Sequence, residues 1–231
     1  MAVQLRRRRR IALAIGLLVA IALIVTGVVL SPLMTLTTIV VSGRDTVPEK
    51  VITGATDDQL GKPLALIDTD AIRSRLASVT RIESFTTELQ PPHTLVIRIV
   101  ERRAIGYMNH GTKWDIVDAA GVVLDTSSTP PSTLPLLSVA STTDLAFSAV
   151  SDVLAALPES FRNSIAGVTA RTRDSITIVM KGTPHRLLWG SPDETPLKVL
   201  VAKRALAIVA KRGGAYEIDV SAPDNIVLRP I

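Results

Sequence analysis

Twenty consecutive residues, Ile11 to Leu30, carry no charge, and thirteen of them are Leu, Ile or Val. Coiled as a helix they rise about 30 Å, the thickness of a bilayer hydrocarbon core. Each of those thirteen favours insertion by roughly 0.3 to 0.6 kcal/mol, on the order of 4 to 8 kcal/mol together. The run predicts a transmembrane helix over residues 11–30. The pattern then changes to short periods. Leu36 to Ser42 is β-branched and predicts a strand, with Gly43-Arg44-Asp45 as the turn after it. Val47 to Gly54 predicts a short helix with Pro48 in its first turn. Leu64 to Ile67 is a short apolar run, and Asp68 reads as the N-cap of a helix carrying Ile72, Leu76 and Val79 inward. Ile82 to Leu89 and Thr94 to Val100 predict two strands joined at Gln90-Pro91-Pro92-His93. The order is β-α-α-β-β, a sheet with helices on one face.

From Arg103 onward the chain is richer in strands. Ala104 to Asn109 and Lys113 to Val117 read as a hairpin, and Asp118-Ala-Ala-Gly121 turns into Val122 to Leu124. A Ser/Thr/Pro-rich loop covers Ser127 to Pro135, and Leu145 to Leu157 predicts a helix stopped by Pro158. Strands follow at Val168 to Thr172, Ser175 to Met180 and Arg186 to Trp189. Ser191-Pro192-Asp193-Glu194 has the form of a capping box. The helix it would open runs to Arg212, with Leu197, Leu200, Val201 and Leu206 expected inward and Gly213-Gly214 as its stop. Tyr216 to Val220 and Ile226 to Leu228 close the pattern as strands.

Charge gives the apolar run a direction. Arg6, Arg7, Arg8, Arg9 and Arg10 stand directly before it. Arginines on one flank hold that flank in the cytoplasm, so residues 31–231 are expected outside it. A cleavable signal would have a shorter apolar core and a small-x-small site, whereas Leu30-Ser31-Pro32-Leu33-Met34 has none. The chain has 26 Lys and Arg against 21 Asp and Glu, and setting the five arginines aside leaves 21 against 21. The exported part is therefore neutral, which argues against a nucleic-acid partner. The chain contains no Cys, so it has neither disulfides nor thiolate chemistry.

No local motif supports catalysis. G-x-S-x-G, S-x-x-K, H-E-x-x-H and Gly-rich phosphate loops are all missing from the sequence. His93, His110 and His185 are far apart and sit at expected turns. Asp68 and Asp70 read as acids at a helix N-terminus, and Asp118 as a turn residue. Trp114 and Trp189 read as core or sheet-face residues. No catalytic residue, metal site or cofactor is expected. A neutral, strand-rich domain on one anchor suits protein partners, which can add a strand to a free sheet edge.

Several short patterns occur together in order: Ile39-Val-Val-Ser-Gly43, Gly61-Lys-Pro-Leu64 and Ile99-Val-Glu101-Arg102, then Trp114-Asp-Ile-Val-Asp118-Ala-Ala-Gly121, Leu134-Pro135-Leu136-Leu137, Leu188-Trp189-Gly190-Ser191 with Lys198, and Ile218-Asp219-Val220. In these the chain resembles the FtsQ/DivIB family of bacterial cell-division proteins over nearly its whole length. The resemblance implies an α+β ectodomain on a single N-terminal transmembrane helix. Residues 1–10 would be a cytoplasmic tail, 11–30 the membrane helix, 33–102 a POTRA domain and 103–231 an FtsQ-type β domain with a long helix. It implies a non-enzymatic divisome scaffold at the septum, binding FtsB- and FtsL-like bitopic proteins and helping to recruit or regulate the septal synthase pair FtsW and FtsI. Carried over onto this sequence, partner binding falls on Lys203 and Arg204 of the last helix and on Asp219 through Leu228 at the C-terminal strand, with Asp219, Val220, Ser221, Ala222, Asn225 and Val227 as the named contacts. Many Gram-negative members have Tyr where this chain has Ala222, and Pro223 next to it is expected to remove a ladder donor. Ala104, where many relatives have Pro, is a benign departure. Two rivals stand beside this reading. One is a POTRA-containing envelope secretion or assembly component. The other is a membrane-anchored cell-wall enzyme.

Overall fold

The computed structural model describes residues 2–231, with side chains from Ala12 onward, so the Arg6–Arg10 side chains lie outside the described residues. Helix α1 spans Ala2–Val29, and Ala12–Val29 has a mean hydropathy of 2.8. Among the described residues it is the one helix long and apolar enough to cross a membrane. Its apolar side chains lie outside either protein core; Leu13 and Leu23 are 74% and 68% exposed. The chain packs as two compact units, residues 1–101 and 102–231.

Beyond α1, the first unit contains β1 (Thr38–Ser42), α2 (Glu49–Gly54), α3 (Thr69–Ala77), β2 (Ile82–Gln90) and β3 (Thr94–Glu101). The sheet order is β1-β3-β2, with β1 parallel to β3 and β2 antiparallel to it. This is the expected β-α-α-β-β order. Leu36, Ile52, Ile72, Leu76, Leu95 and Ile97 are fully buried between helices and sheet. Asp68 caps α3 by accepting the Ala71 N–H at 2.9 Å. Pro48 stands at the N-cap of α2 instead of inside its first turn. Gly43 has φ +81°, and a Cβ there would lie 2.2 Å from the Ile99 carbonyl oxygen, so the turn after β1 demands glycine.

That turn is tied to the end of β3 by Glu101. Its carboxylate accepts the N–H groups of Asp45 at 2.6 Å, Thr46 at 2.9 Å and Val47 at 2.9 Å, and the Thr46 hydroxyl at 2.6 Å. Burial by itself would raise the Glu101 pKa. The donors overcome it and hold the group at about 2, against an ordinary 4.5.

The second unit is one nine-stranded sheet with helices on one face. Its elements are β4 (Ala104–His110), β5 (Lys113–Asp118), β6 (Val123–Ser127), β7 (Leu136–Ser138), α4 (Leu145–Ala156), α5 (Glu159–Arg162), β8 (Ile165–Thr169), β9 (Ile176–Met180), β10 (Arg186–Gly190), α6 (Thr195–Arg212), β11 (Tyr216–Asp219) and β12 (Val227–Pro230). The strand order is β12-β11-β10-β9-β8-β7-β4-β5-β6. The β7–β8 and β10–β11 pairs are parallel, and each needs a helical crossover, α4–α5 for one and α6 for the other. Both crossovers cover the same core, where Phe147, Val150, Leu154, Ile178, Leu187, Trp189, Ala202 and Ile218 are at most 2% exposed.

The structure corrects several local expectations. Strand β7 and helix α5 lie where no element was expected, because each is only three or four residues long and shows no readable period. Strand β8 begins three residues early, at Ile165. The helix after β10 does not start at a capping box. Its N-cap is Glu194 in the left-handed region, φ 56°, and Pro196 stands in the first turn. Leu197 and Leu200 are 42% and 57% exposed, while Lys198, Val199, Val201, Ala202, Ala205 and Val209 are buried. The inward stripe runs through Lys198, Ala202, Ala205 and Val209, about 100° round the helix from a stripe through Leu197. Pro223 lies in the turn between β11 and β12, outside the ladder.

Candidate interaction surface

The expected contact residues gather at the last strands and on α6. Strand β11 alternates: Ile218 is fully buried, while Glu217 and Asp219 turn to the opposite sheet face. There Arg186 donates to Glu217 at 2.8 Å, and Arg229 reaches Glu217 at 3.4 Å and Asp219 at 4.0 Å. Asp219 also orders the turn, accepting the Ser221 N–H at 3.1 Å and its hydroxyl at 2.6 Å. The Asn225 N–H donates to the Ala222 carbonyl at 2.9 Å, and the Ser221, Ala222 and Asn225 side chains are exposed. Val227 is half-buried opposite Asp219. Val220 is fully buried and its N–H donates to Leu188, so it offers a partner no side chain. Lys203 and Arg204 are exposed on α6.

Strand β12 pairs only with β11 and ends the sheet. The Ile231 N–H donates inward to the Ala215 carbonyl at 3.1 Å. In an antiparallel ladder the groups alternate, so Val227 and Arg229 also turn inward, and Leu228 and Pro230 turn outward. The free edge therefore presents the N–H and C=O of Leu228 and the C=O of Pro230. Proline has no N–H, and here its missing donor falls on the open edge, which limits pairing with an added strand to the Leu228 end. Sequence reasoning placed the proline effect at Pro223; it carried the contact as far as Leu228 and did not single out Pro230. The alternation of Tyr216-Glu217-Ile218-Asp219 was the signal for the faces. The register that decides the edge needs the tertiary pairing.

Helix α6 carries Lys198, Lys203, Arg204, Lys211 and Arg212 and no acid. It packs on β11 beside this edge. Lys198 is 1% exposed, and its ammonium donates to the Ser191 carbonyl at 3.0 Å. Burial pushes its pKa below 10.5, against the pull of Asp193, Glu194 and Asp174. Trp189 is fully buried and donates to the Thr195 hydroxyl at 3.2 Å. Gly190 has φ +74°, with a Cβ position 2.8 Å from the Ser221 Cβ. Leu188 to Ser191 and Lys198 thus build the support on which the β11–β12 turn rests. Asp118 does likewise elsewhere: it is 4% exposed, binds Arg102 at 2.7 Å and accepts the N–H groups of Ala120 and Val122. Among the described residues no three His, Asp or Glu side chains group as a metal site.

Comparison with known proteins matches both units. A family model described as the FtsQ-type POTRA domain covers residues 34–102, and one described as the C-terminal domain of cell division protein FtsQ/DivIB covers 106–218. Cell division protein FtsQ of Mycobacterium leprae (strain Br4923) is 32% identical over 196 residues, covering 84% of this chain and 55% of that protein. Its namesake in Streptomyces bingchenggensis (strain BCW-1) is 32% identical over 232 residues, covering 94% of this chain and 84% of that protein. The chain thus spans little more than half of the mycobacterial relative. The solved extracytoplasmic domain of the cell division protein DivIB from Geobacillus stearothermophilus aligns with 35% of this chain and 71% of its own, at 23% identity and a TM-score of 0.30.

Proposed function

We infer, for a chain that belongs to the FtsQ/DivIB family of cell division proteins, that it is a non-enzymatic scaffold of the division septum. In this reading α1 crosses the cytoplasmic membrane once, the Arg6–Arg10 run stays in the cytoplasm, and both folded units work outside it. The POTRA domain takes residues 33–102 and the β domain 103–231. The β domain binds FtsB- and FtsL-like bitopic proteins and through them influences the FtsW and FtsI synthase pair. The single observation that carries this is the open outer edge of β12, beside a helix with five cations and no acid. A partner strand would pair with Leu228, while acidic side chains meet Lys203 and Arg204.

The test captures FtsB- and FtsL-like partners with the full chain in membranes. Leu228→Pro deletes the outward N–H without touching a backbone bond to β11; the Leu228 side chain also packs on the core, so capture should fall by more than in Leu228→Ala, which keeps the N–H. Val227→Arg places a cation beside Asp219 on the edge strand, which the fold tolerates but an added strand does not. Undiminished capture by both variants would refute the edge as the contact. Deleting residues 217–231 is not a clean test, because it removes the buried Ile218 and Val220 from the core.

A further inference from the structure

A second feature lies on the flank of α6, in a cavity of about 400 Å³ between α5, the β9–β10 turn and the helix. Phe161, Met180, Leu206 and Ala210 make its apolar wall. Lys181 and Lys203 line it as well, and among the described residues neither has a carboxylate partner; the Lys181 ammonium donates to the Thr133 carbonyl at 3.4 Å. His185 is 5% exposed and completes the lining. Its Nδ1 accepts the Tyr216 N–H at 3.2 Å. An amide N–H can only donate, so the neutral ring carries its proton on Nε2. Nε2 has no hydrogen-bond partner within the described protein. It is a donor at the cavity surface, open to whatever enters the cavity.

We propose that this cavity is a second recognition site, which takes a large apolar side chain and a neighbouring carboxylate from a peptide segment of a protein partner. The volume suits one aromatic or branched side chain with a short polar extension. The Lys203 ammonium, the Lys181 ammonium with its one long bond to Thr133, and the His185 donor call for an anion, and the apolar wall calls for the body attached to it. Lys203 joins this cavity to the α6 surface already assigned to partners, which favours a peptide over a free acid. The inference rests on the scaffold reading and names the chemistry of the partner at that same helix.

The probe is the blocked tetrapeptide acetyl-Gly-Phe-Glu-Gly-amide, titrated by NMR into the full chain in lipid nanodiscs and followed at the His185 ring. Saturable shifts are expected at His185 and Ala210. Replacing Glu by Gln in the probe, or Phe by Gly, should weaken binding about tenfold or more. Lys203→Glu should do the same, and Ala210→Trp, which fills the cavity from an exposed position, should abolish the shifts. Binding that ignores the Glu-to-Gln change, or that survives Ala210→Trp, overturns the proposal. So does saturation by 3-phenylpropionate without saturation by the peptide, which would make this a small-acid pocket. Intact capture through β12 together with a silent cavity would overturn only this site; loss of all capture would strike the scaffold reading itself.

Discussion

Replacing Glu101 by Gln should loosen the first unit at the turn that follows β1. The native carboxylate gathers three backbone N–H groups and one hydroxyl. Glutamine keeps one acceptor oxygen and turns an NH₂ toward donors. The pKa fall from 4.5 to about 2 sets a ceiling on the linked stability. At about 1.36 kcal/mol per pKa unit that ceiling is ~3 kcal/mol. Glu101 is only half-buried, and solvent screening reduces the expected loss to about 1–2 kcal/mol. The sign follows from linkage. The folded pKa is depressed, so the contribution is present above the ordinary 4.5 and drains away as pH falls toward 2. The assay is hydrogen exchange on the full chain in detergent, reading the Asp45, Thr46 and Val47 amides, together with thermal unfolding of the first unit. For a unit of this size the loss should lower Tm by about 5–15 °C. The wild type should lose amide protection between pH 4.5 and 2, and Glu101→Gln should show little further loss. Equal protection and equal acid sensitivity in the two proteins would refute the account.

Two other perturbations read the support under the candidate edge. Gly190→Ala forces a Cβ against Ser221 at φ +74° and should cost about 1–3 kcal/mol, seen as a lower Tm of the second unit with the largest exchange increase at Ser221 to Asn225. Lys198 binds fewer protons folded than unfolded between its lowered pKa and 10.5, so raising pH through that window should add stability. Lys198→Met should lack that alkaline gain, and a matching rise in both proteins would count against the burial of a charged ammonium.

What the sequence determined by itself came from period, length and punctuation. An uncharged run of twenty residues can be satisfied only as one kind of element, so α1 was legible. The β-α-α-β-β order of the first unit was legible because its strands and helices are bounded by Gly, Pro and a capping Asp68. The motifs that carried the resemblance turn out to be framework: Asp118 holds a turn and Arg102, Trp189 fills the core, and Gly190 makes room for Ser221. Their roles are local, so sequence spacing preserves them. What only the tertiary structure decided was phase and neighbourhood. The start of α6 at Glu194 is announced by no capping residue, and packing on the sheet put Leu197 and Leu200 outside and Lys198 inside. Strand β7 exists because parallel partners on both sides satisfy three residues with no pattern of their own. The open edge of β12, the direction of Pro230 and the unpaired nitrogen of His185 are facts of long-range pairing. They depend on which strands pair and in what register, and no period along the chain encodes them.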